Sequence, residues 1–437
     1  MTNRREFLRT LGYPAALAAT GLPFSPAFLR AEALEPISEL ARVPGTPREI
    51  AEDEWFWAQV RAAFTVDASM VNLNNGGVSP SPAWVQETMK RHLDFSNQAP
   101  PHTMWNILEP RKEGVRLRMA REWDVDPEEI AFTRNASEGL QICQLGFDLE
   151  RGDEVLTTTQ DYPRMLTTFR QRERREGVVL KQIQLPIPAE DPGEVVRRFQ
   201  EAITPRTRLI LVSHMINITG QILPVREVVA MAREHGIPTI VDGAHALAHF
   251  DFTLSELECD YYATSLHKWL FAPHGTGLLY VRRDRIRDLW PLMAAPDAMD
   301  DDIRKFEEIG THPAANTLAI AEALTFHQGI GSQRKEARLI HLRDYWARAL
   351  MNRSPRVRLH TSLNPGFACG IATVEVEGVD TGALGAHLWE DHRILVTPIR
   401  HAEFQGLRVS PSVYTTKEDL DRFVDAMGTV LDRGIPA

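Results

Sequence analysis

Apolar and polar positions repeat in two rhythms along this chain, one helical and one of short unbroken runs. Residues 47–66 (PREIAEDEWFWAQVRAAFTV) follow the helical rhythm, with Trp57, Val60 and Phe64 on one face and acidic residues near the start. MVNL then reads as a short strand, followed by the turn-rich NNGGVSPSP. Ser81-Pro82 can open the next helix, whose apolar stripe is Val85, Met89 and Leu93. Residues 96–106 have turn composition and carry an aromatic residue, so a loop is expected there.

From about residue 111 the rhythms alternate. A helix is predicted over 111–122, a strand at IAFT that ends at Arg134-Asn135, a helix over 137–147, and a strand at EVLTTT that reaches Gln160-Asp161-Tyr162. TRLILVSHM is a strand ending near Asn217, PVREVVAMAREHG a helix with a glycine stop, and IPTIVDGAH, CDYYATS and GTGLLYV are further strands. Apolar runs with little strict alternation, separated by helices, predict an α/β fold: a mostly parallel sheet covered by helices on both faces. This large domain spans 71–295. After 296 the pattern turns to charged helices, then to four strands (PRVRLHT, CGIATVEVEG, RILVTPI, GLRVSPSVY) and a closing helix, TTKEDLDRFVDAM. These form a smaller α+β domain over 296–437, with residues 34–70 expected to pack against it.

The length of 437 residues suits two or three domains. A formal net charge of -10 argues against a nucleic-acid footprint, and no zinc finger, Walker loop or dinucleotide fingerprint occurs. Cys143, Cys259 and Cys369 are far apart, in no metal-binding spacing, and allow at most one disulfide. No metal is expected. The first 33 residues stand apart: Arg4 and Arg5, a mildly apolar run, then Ala31-Glu32-Ala33 as small residues for cleavage. This order resembles a twin-arginine export signal, a receptor-read address that would engage the twin-arginine machinery and deliver a folded protein to the periplasm or beyond. No other segment approaches a membrane span.

In a parallel sheet, ligand-binding residues gather at the carboxyl ends of the strands. Asn135-Ala136-Ser137, Asp161-Tyr162, Asp242 and Lys268 all fall at such ends. A buried lysine is costly unless its chemistry is used. Beside an aldehyde it forms a Schiff base, and a conjugated pyridine ring then serves as an electron sink. That sink works best with its nitrogen protonated, which asks for a buried carboxylate, and Asp242 is suited to it. Asn135, Ala136 and Ser137 at a helix start could hold a phosphate. Tyr162 could stack on the ring, and His245 could hydrogen-bond the ring oxygen.

VDGAH at 241–245, with Lys268 in SLHKW 26 residues beyond Asp242, resembles the pyridoxal-phosphate enzymes of aminotransferase class V, and within them the isopenicillin-N-epimerase-like branch. The resemblance implies a fold-type I enzyme that binds pyridoxal 5'-phosphate. Its S-x-H-K pattern maps to Ser265, His267 and the catalytic Lys268, its ring-nitrogen aspartate to Asp242, and its ring-oxygen residue to His245. LNNGGVSPSP resembles the family's amino-terminal strand and glycine loop, which implicates Asn75 in substrate binding. SHMINITGQILPV matches the asparagine segment with Asn217, and EEIGTHPAA the glycine-threonine motif, Gly310-Thr311. RVSPSVYTTKEDLDRFV matches the carboxyl-terminal signature, whose carboxylate-binding arginine maps to Arg408. The family also implies a homodimer with shared active sites, in which Gly310-Thr311 and the HGTG loop at 274–277 reach the neighbouring subunit's phosphate.

Such enzymes act at the α-carbon of an amino acid, with Lys268 as the natural base. Epimerisation is one expected outcome. Aminotransfer outside the cytoplasm, or lyase-type or oxidative tailoring of a siderophore or peptide-like metabolite, are the alternatives, and a non-catalytic cofactor-binding protein is a further one. Desulfuration is not expected, because VTPIRHAEFQGLR lacks the cysteine that precedes the arginine in desulfurases.

Overall fold

The structure, a computed structural model, describes residues 39–435. The expected export signal lies outside the described residues. Residues from Gly45 onward form one compact unit.

Residues 47–62 form two helices where one was expected. Pro47–Glu52 and Glu54–Ala62 meet at Asp53, whose carboxylate accepts the N–H groups of Trp55 and Phe56 at 3.0 and 3.2 Å. An acidic residue near a helix start reads the same in sequence whether it lies inside the helix or caps a new one. Strand β1 (Val71–Asn72) follows, then helix Ala83–Ser96. The expected loop over 96–106 is largely helical instead. Pro100–His102 starts a turn that widens into a π-helix at Thr103–Leu108, tightens at Glu109–Arg111 and runs into helix Lys112–Glu122.

The large sheet contains β2 (Ile130–Thr133), β3 (Glu154–Thr158), β4 (Val179–Ile183), β5 (Thr207–Ser213), β6 (Thr239–Asp242), β7 (Tyr261–Ser265) and β8 (Gly277–Val281). Their order is β2-β8-β7-β6-β5-β3-β4. Only β8 runs against the rest. It returns directly from the end of β7 as a hairpin, so no crossover helix is needed there. Strands β2, β3, β5, β6, β7 and β8 are buried along nearly their whole length, as the unbroken apolar runs require. Leu209, Leu211, Ile240, Tyr261 and Leu279 of the sheet pack with Leu140, Ile142 and Phe169 of the covering helices Ala136–Gly146 and Pro163–Glu176.

The second sheet is antiparallel: β9 (Val357–Leu359), β10 (Ala372–Val376), β12 (Thr397–Arg400) and β13 (Gln405–Val409), in the order β12-β13-β10-β9. Its core joins Val374 and Leu407 to Leu342 and Trp346 of helix Ser332–Arg353 and to Phe423 of helix Lys417–Arg433. The stretch RILVTPI supplies two strands rather than one, because β11 (Ile394–Leu395) pairs with β1 in a separate parallel ribbon. Among the described residues no helix is long and apolar enough to cross a membrane, and no group of side chains is arranged to hold a metal ion. All three cysteines are free and buried, so the possible disulfide is not formed.

Two glycines fix how closely the large sheet's end is packed. A Cβ at Gly243 would fall 1.9 Å from the Tyr262 ring, and one at Gly277 would lie 2.6 Å from the Asn135 backbone. At both places only a residue without a side chain lets neighbouring strand ends approach. Gly277→Ala must push the start of helix Ala136–Gly146 away from β8. The expected cost is about 1–3 kcal/mol, read as a lower urea midpoint. An unchanged midpoint would show that this contact does not set the helix start.

Candidate active site

The β7–β8 hairpin carries Lys268 just past the end of β7, on a loop whose own contacts hold it. The His267 ring donates from Nδ1 to the Thr276 carbonyl at 3.0 Å, and the Ser79 N–H donates to the His267 carbonyl at 3.1 Å. Lys268 Nζ then lies 3.0 Å from His245 Nε2. Burial lowers the amine to about 8 and the positive charge of Arg408 adds to this, while Asp242 opposes it. Asp242, at the end of β6, is pushed up by burial to about 6 despite the Ala244 N–H at 3.0 Å and the attraction of Lys268. At pH 7 the amine is therefore mostly an ammonium and the carboxyl mostly a carboxylate.

Burial also holds His245 well below its usual range, so its ring is neutral. An ammonium can only donate, so Nε2 accepts from it and Nδ1 carries the ring proton. That buried Nδ1 has no partner among the described residues. The next turn is braced by His249, which stacks on Trp269 at 3.6 Å, donates to the His245 carbonyl at 2.7 Å and accepts the Gly370 N–H at 3.0 Å. His249 is thus a fully occupied core residue.

The helix start at 135–137 meets the same loop. Asn135 caps helix Ala136–Gly146 by accepting the Glu138 N–H at 2.9 Å, and Ser265 Oγ accepts the Ala136 N–H at 3.0 Å. Across the cleft, Arg408 on β13 is almost wholly buried and donates to the Asn217 carbonyl (3.1 Å), Asn74 Oδ1 (2.8 Å) and Thr397 Oγ1 (3.4 Å). These acceptors are all neutral. Burial lowers the guanidinium to about 10, and its Nε has no partner.

One cleft of about 290 Å³ is lined by Asn135, Ala136, Ser137, Tyr162, Asn217, Asp242, His245, Ser265, His267, Lys268 and Arg408. Three of the expected site residues are elsewhere. The Asn75 amide is buried and spent on the Asn72 and Ser410 carbonyls and the Tyr414 hydroxyl, which corrects its expected substrate role. Its neighbour Asn74 holds Arg408 instead. Gly310 and Thr311 line a separate charged hollow with Glu109, Lys112 and Glu307, not the chain's own cleft. Gly76, Gly77, Ser213 and Met215 join the lining unannounced. Ser213 could have been found as the last residue of its strand, and the two glycines from the NNGG turn.

Residues 71–423 match the family described as Aminotransferase class-V. The chain belongs to this family. It is an enzyme, and its cofactor is pyridoxal 5'-phosphate. The chain is 32% identical to isopenicillin N epimerase of Streptomyces clavuligerus over 85% of its own length and 97% of that protein's. It is 30% identical to isopenicillin N epimerase of Amycolatopsis lactamdurans, over 85% and 98%. Among solved structures, the cysteine desulfurase CsdA of Escherichia coli superposes with a TM-score of 0.74 at 23% identity, covering 86% of this chain and 98% of that one. The cleft fits such a cofactor: it presents an amine, a buried carboxylate, a helix start, and two buried polar atoms without partners, His245 Nδ1 and Arg408 Nε.

The titration of Lys268 offers a direct check. In cofactor-free protein its labelling by an amine-reactive reagent, followed by peptide mass spectrometry, should rise with pH with a midpoint near about 8. Asp242→Asn removes the charge that favours the ammonium, so its midpoint should move lower still. A midpoint near the ordinary lysine value would contradict this electrostatic account.

Proposed function

We propose that this enzyme inverts the α-carbon of an amino acid, free or as a moiety of a larger metabolite. The carrying observation is Arg408: a buried guanidinium with neutral acceptors and no carboxylate in salt-bridge reach among the described residues, in the cleft that holds Lys268. A substrate carboxylate would complete it with charge-assisted hydrogen bonds. The names of the two epimerases above support the same choice of reaction.

In this reading the cofactor, when bound, supplies an aldehyde for the lysine and an electron-withdrawing ring for the substrate's α-carbon. Asp242 would hold the ring nitrogen's proton, His245 would offer its unpartnered Nδ1–H to the ring oxygen, and Asn135 to Ser137 with Ser265 and His267 would hold the phosphate. Lys268 Nζ is the group that takes or returns the α-proton, and a value near 8 keeps a usable fraction neutral at physiological pH. Desulfuration is disfavoured, because the β12–β13 turn reads HAEF and all three cysteines are buried and held as thiols by burial.

Two wider proposals go with this. Gly310 and Thr311 would serve the cleft of a second copy in a homodimer, which agrees with their absence from the chain's own cleft. The Arg4-Arg5 segment would direct twin-arginine export, which places the substrate outside the cytoplasm.

The test is mass spectrometry and chiral analysis of candidate amino acids incubated with holoenzyme in heavy water. Inverted product carrying an α-deuteron is expected. A keto acid would redirect the assignment to aminotransfer, and a truncated product to a lyase. Arg408→Ala should raise KM by roughly 10- to 100-fold, the loss of a charged hydrogen bond of about 1.5–3 kcal/mol. Unchanged apparent affinity would remove the carboxylate from this position.

A further inference from the structure

Inversion needs a proton donor on the face of the α-carbon opposite Lys268, and no group named above supplies it. We infer that the phenol of Tyr162 is that second acid–base group, an assignment that rests on the proposed inversion.

Strand order places it suitably. Lys268 follows β7, Asp242 ends β6, and Tyr162 lies just beyond β3, with β6 and β5 between. Strands in a sheet are about 4.8 Å apart, so Lys268 and Tyr162 stem from positions roughly 14 Å apart with Asp242 between them. Both line the one cleft with Arg408. A substrate held there meets the amine from one side and the phenol from the other.

The backbone under Tyr162 is tied down to an extent its side chain does not need. The Asp161 carboxylate accepts the hydroxyls of Thr157 (2.7 Å), Thr158 (2.7 Å) and Ser213 (2.6 Å) and the Thr158 N–H (2.9 Å). Gln160 donates to the Leu185 carbonyl (3.1 Å) and to Glu403 (3.1 Å), Thr159 donates to Glu403, and the His401 ring meets the Thr159 carbonyl at 3.0 Å. The phenol itself has no hydrogen bond among the described residues and stays 37% exposed. A clamped main chain that presents an unpartnered hydroxyl to the cleft is the arrangement a proton donor requires. The exposure matters as well, since it opens the phenol to solvent protons.

The step balances without an oxidant or reductant. The α C–H bond breaks as its proton passes to neutral Lys268 Nζ, and a new C–H bond forms on the other face with the proton of Tyr162 Oη. The same electron pair serves the old bond and the new. Lysine ends as ammonium and tyrosine as phenolate, and water resets both.

The experiment compares wild type, Tyr162→Phe and Tyr162→His as holoenzymes in heavy water, with L-alanine, L-glutamate, L-2-aminoadipate and isopenicillin N as probes. Inversion, α-deuterium content and the visible absorption of the bound cofactor are followed. In Tyr162→Phe, which keeps the ring and loses the hydroxyl, inversion should fall at least about 100-fold. Deuterium should still enter the α-carbon with retention, through Lys268, and the absorption band and its pH titration should be unchanged. In Tyr162→His, inversion should return in part with a pH profile moved down, toward the imidazole range near ~6.5. Inversion by Tyr162→Phe at more than a tenth of the wild-type rate, or an unmoved profile in Tyr162→His, overturns the inference and leaves the proposed function standing. Absence of inversion by the wild type on all four probes overturns both.

Discussion

The site is organised around charge that has been taken out of water without a direct counter-ion. Arg408 is buried and Lys268 partly buried, and neither reaches a carboxylate within salt-bridge distance among the described residues. Burying an ion costs several kcal/mol even after relaxation. Here the cost is met partly by neutral acceptors and partly by the nearby but unbonded Asp242. The result is a lysine near 8 and an aspartate near 6, two groups drawn toward neutrality by the same burial. A folded chain tolerates that strain where ligand charge completes it, which is why perturbed groups gather in functional clefts.

Supporting this arrangement is a demand on the sheet. The lysine must emerge next to the carboxylate, and adjacency of β6 and β7 provides that. The single antiparallel strand then lets the loop return at once, so that Thr276 can hold the His267 ring and the chain can pass against Asn135. Gly243 and Gly277 follow from these approaches. The same hairpin brings Trp269 beneath His249, and His249 reaches back to the carbonyl of His245. The neutral histidine that meets the lysine is therefore positioned from behind by the loop that carries the lysine.

Much of this was legible because strand ends and helix starts have strong local signals. The strands before Asn135, Asp242 and Lys268 are fully buried, and polar residues stand at or just past each strand's end, so convergence at one rim followed from a parallel sheet. The likeness to a known motif order then named roles that spacing alone left open. What failed was finer. Adjacent Asn74 and Asn75 are the same residue type, and which of them faces the arginine depends on how the chain turns after β1. Residues 96–106 read as turns because Pro100 and Pro101 suggest a break, whereas proline at a helix start is favourable. Strand β4 is half exposed at the sheet edge, where VLKQI gives a weaker signal than a buried run. Gly310 and Thr311, by contrast, were expected to reach a neighbouring subunit's cleft, and they do not line the chain's own.

The β12–β13 turn shows how one scaffold can change what its cleft does. It precedes Arg408, the place where the desulfurase pattern puts a reactive cysteine. In this chain the turn carries His401 and Glu403, and both are spent on Thr159 and Gln160 at the end of β3. The turn presents no nucleophile and acts as a brace. The segment it braces leads directly into Asp161 and Tyr162, so the turn steadies a wall of the cleft that Lys268 also lines. That substitution needs no change in the sheet, the lysine or the arginine. In the proposed inversion, such a wall would set which side chains meet the substrate's α-carbon from the far side.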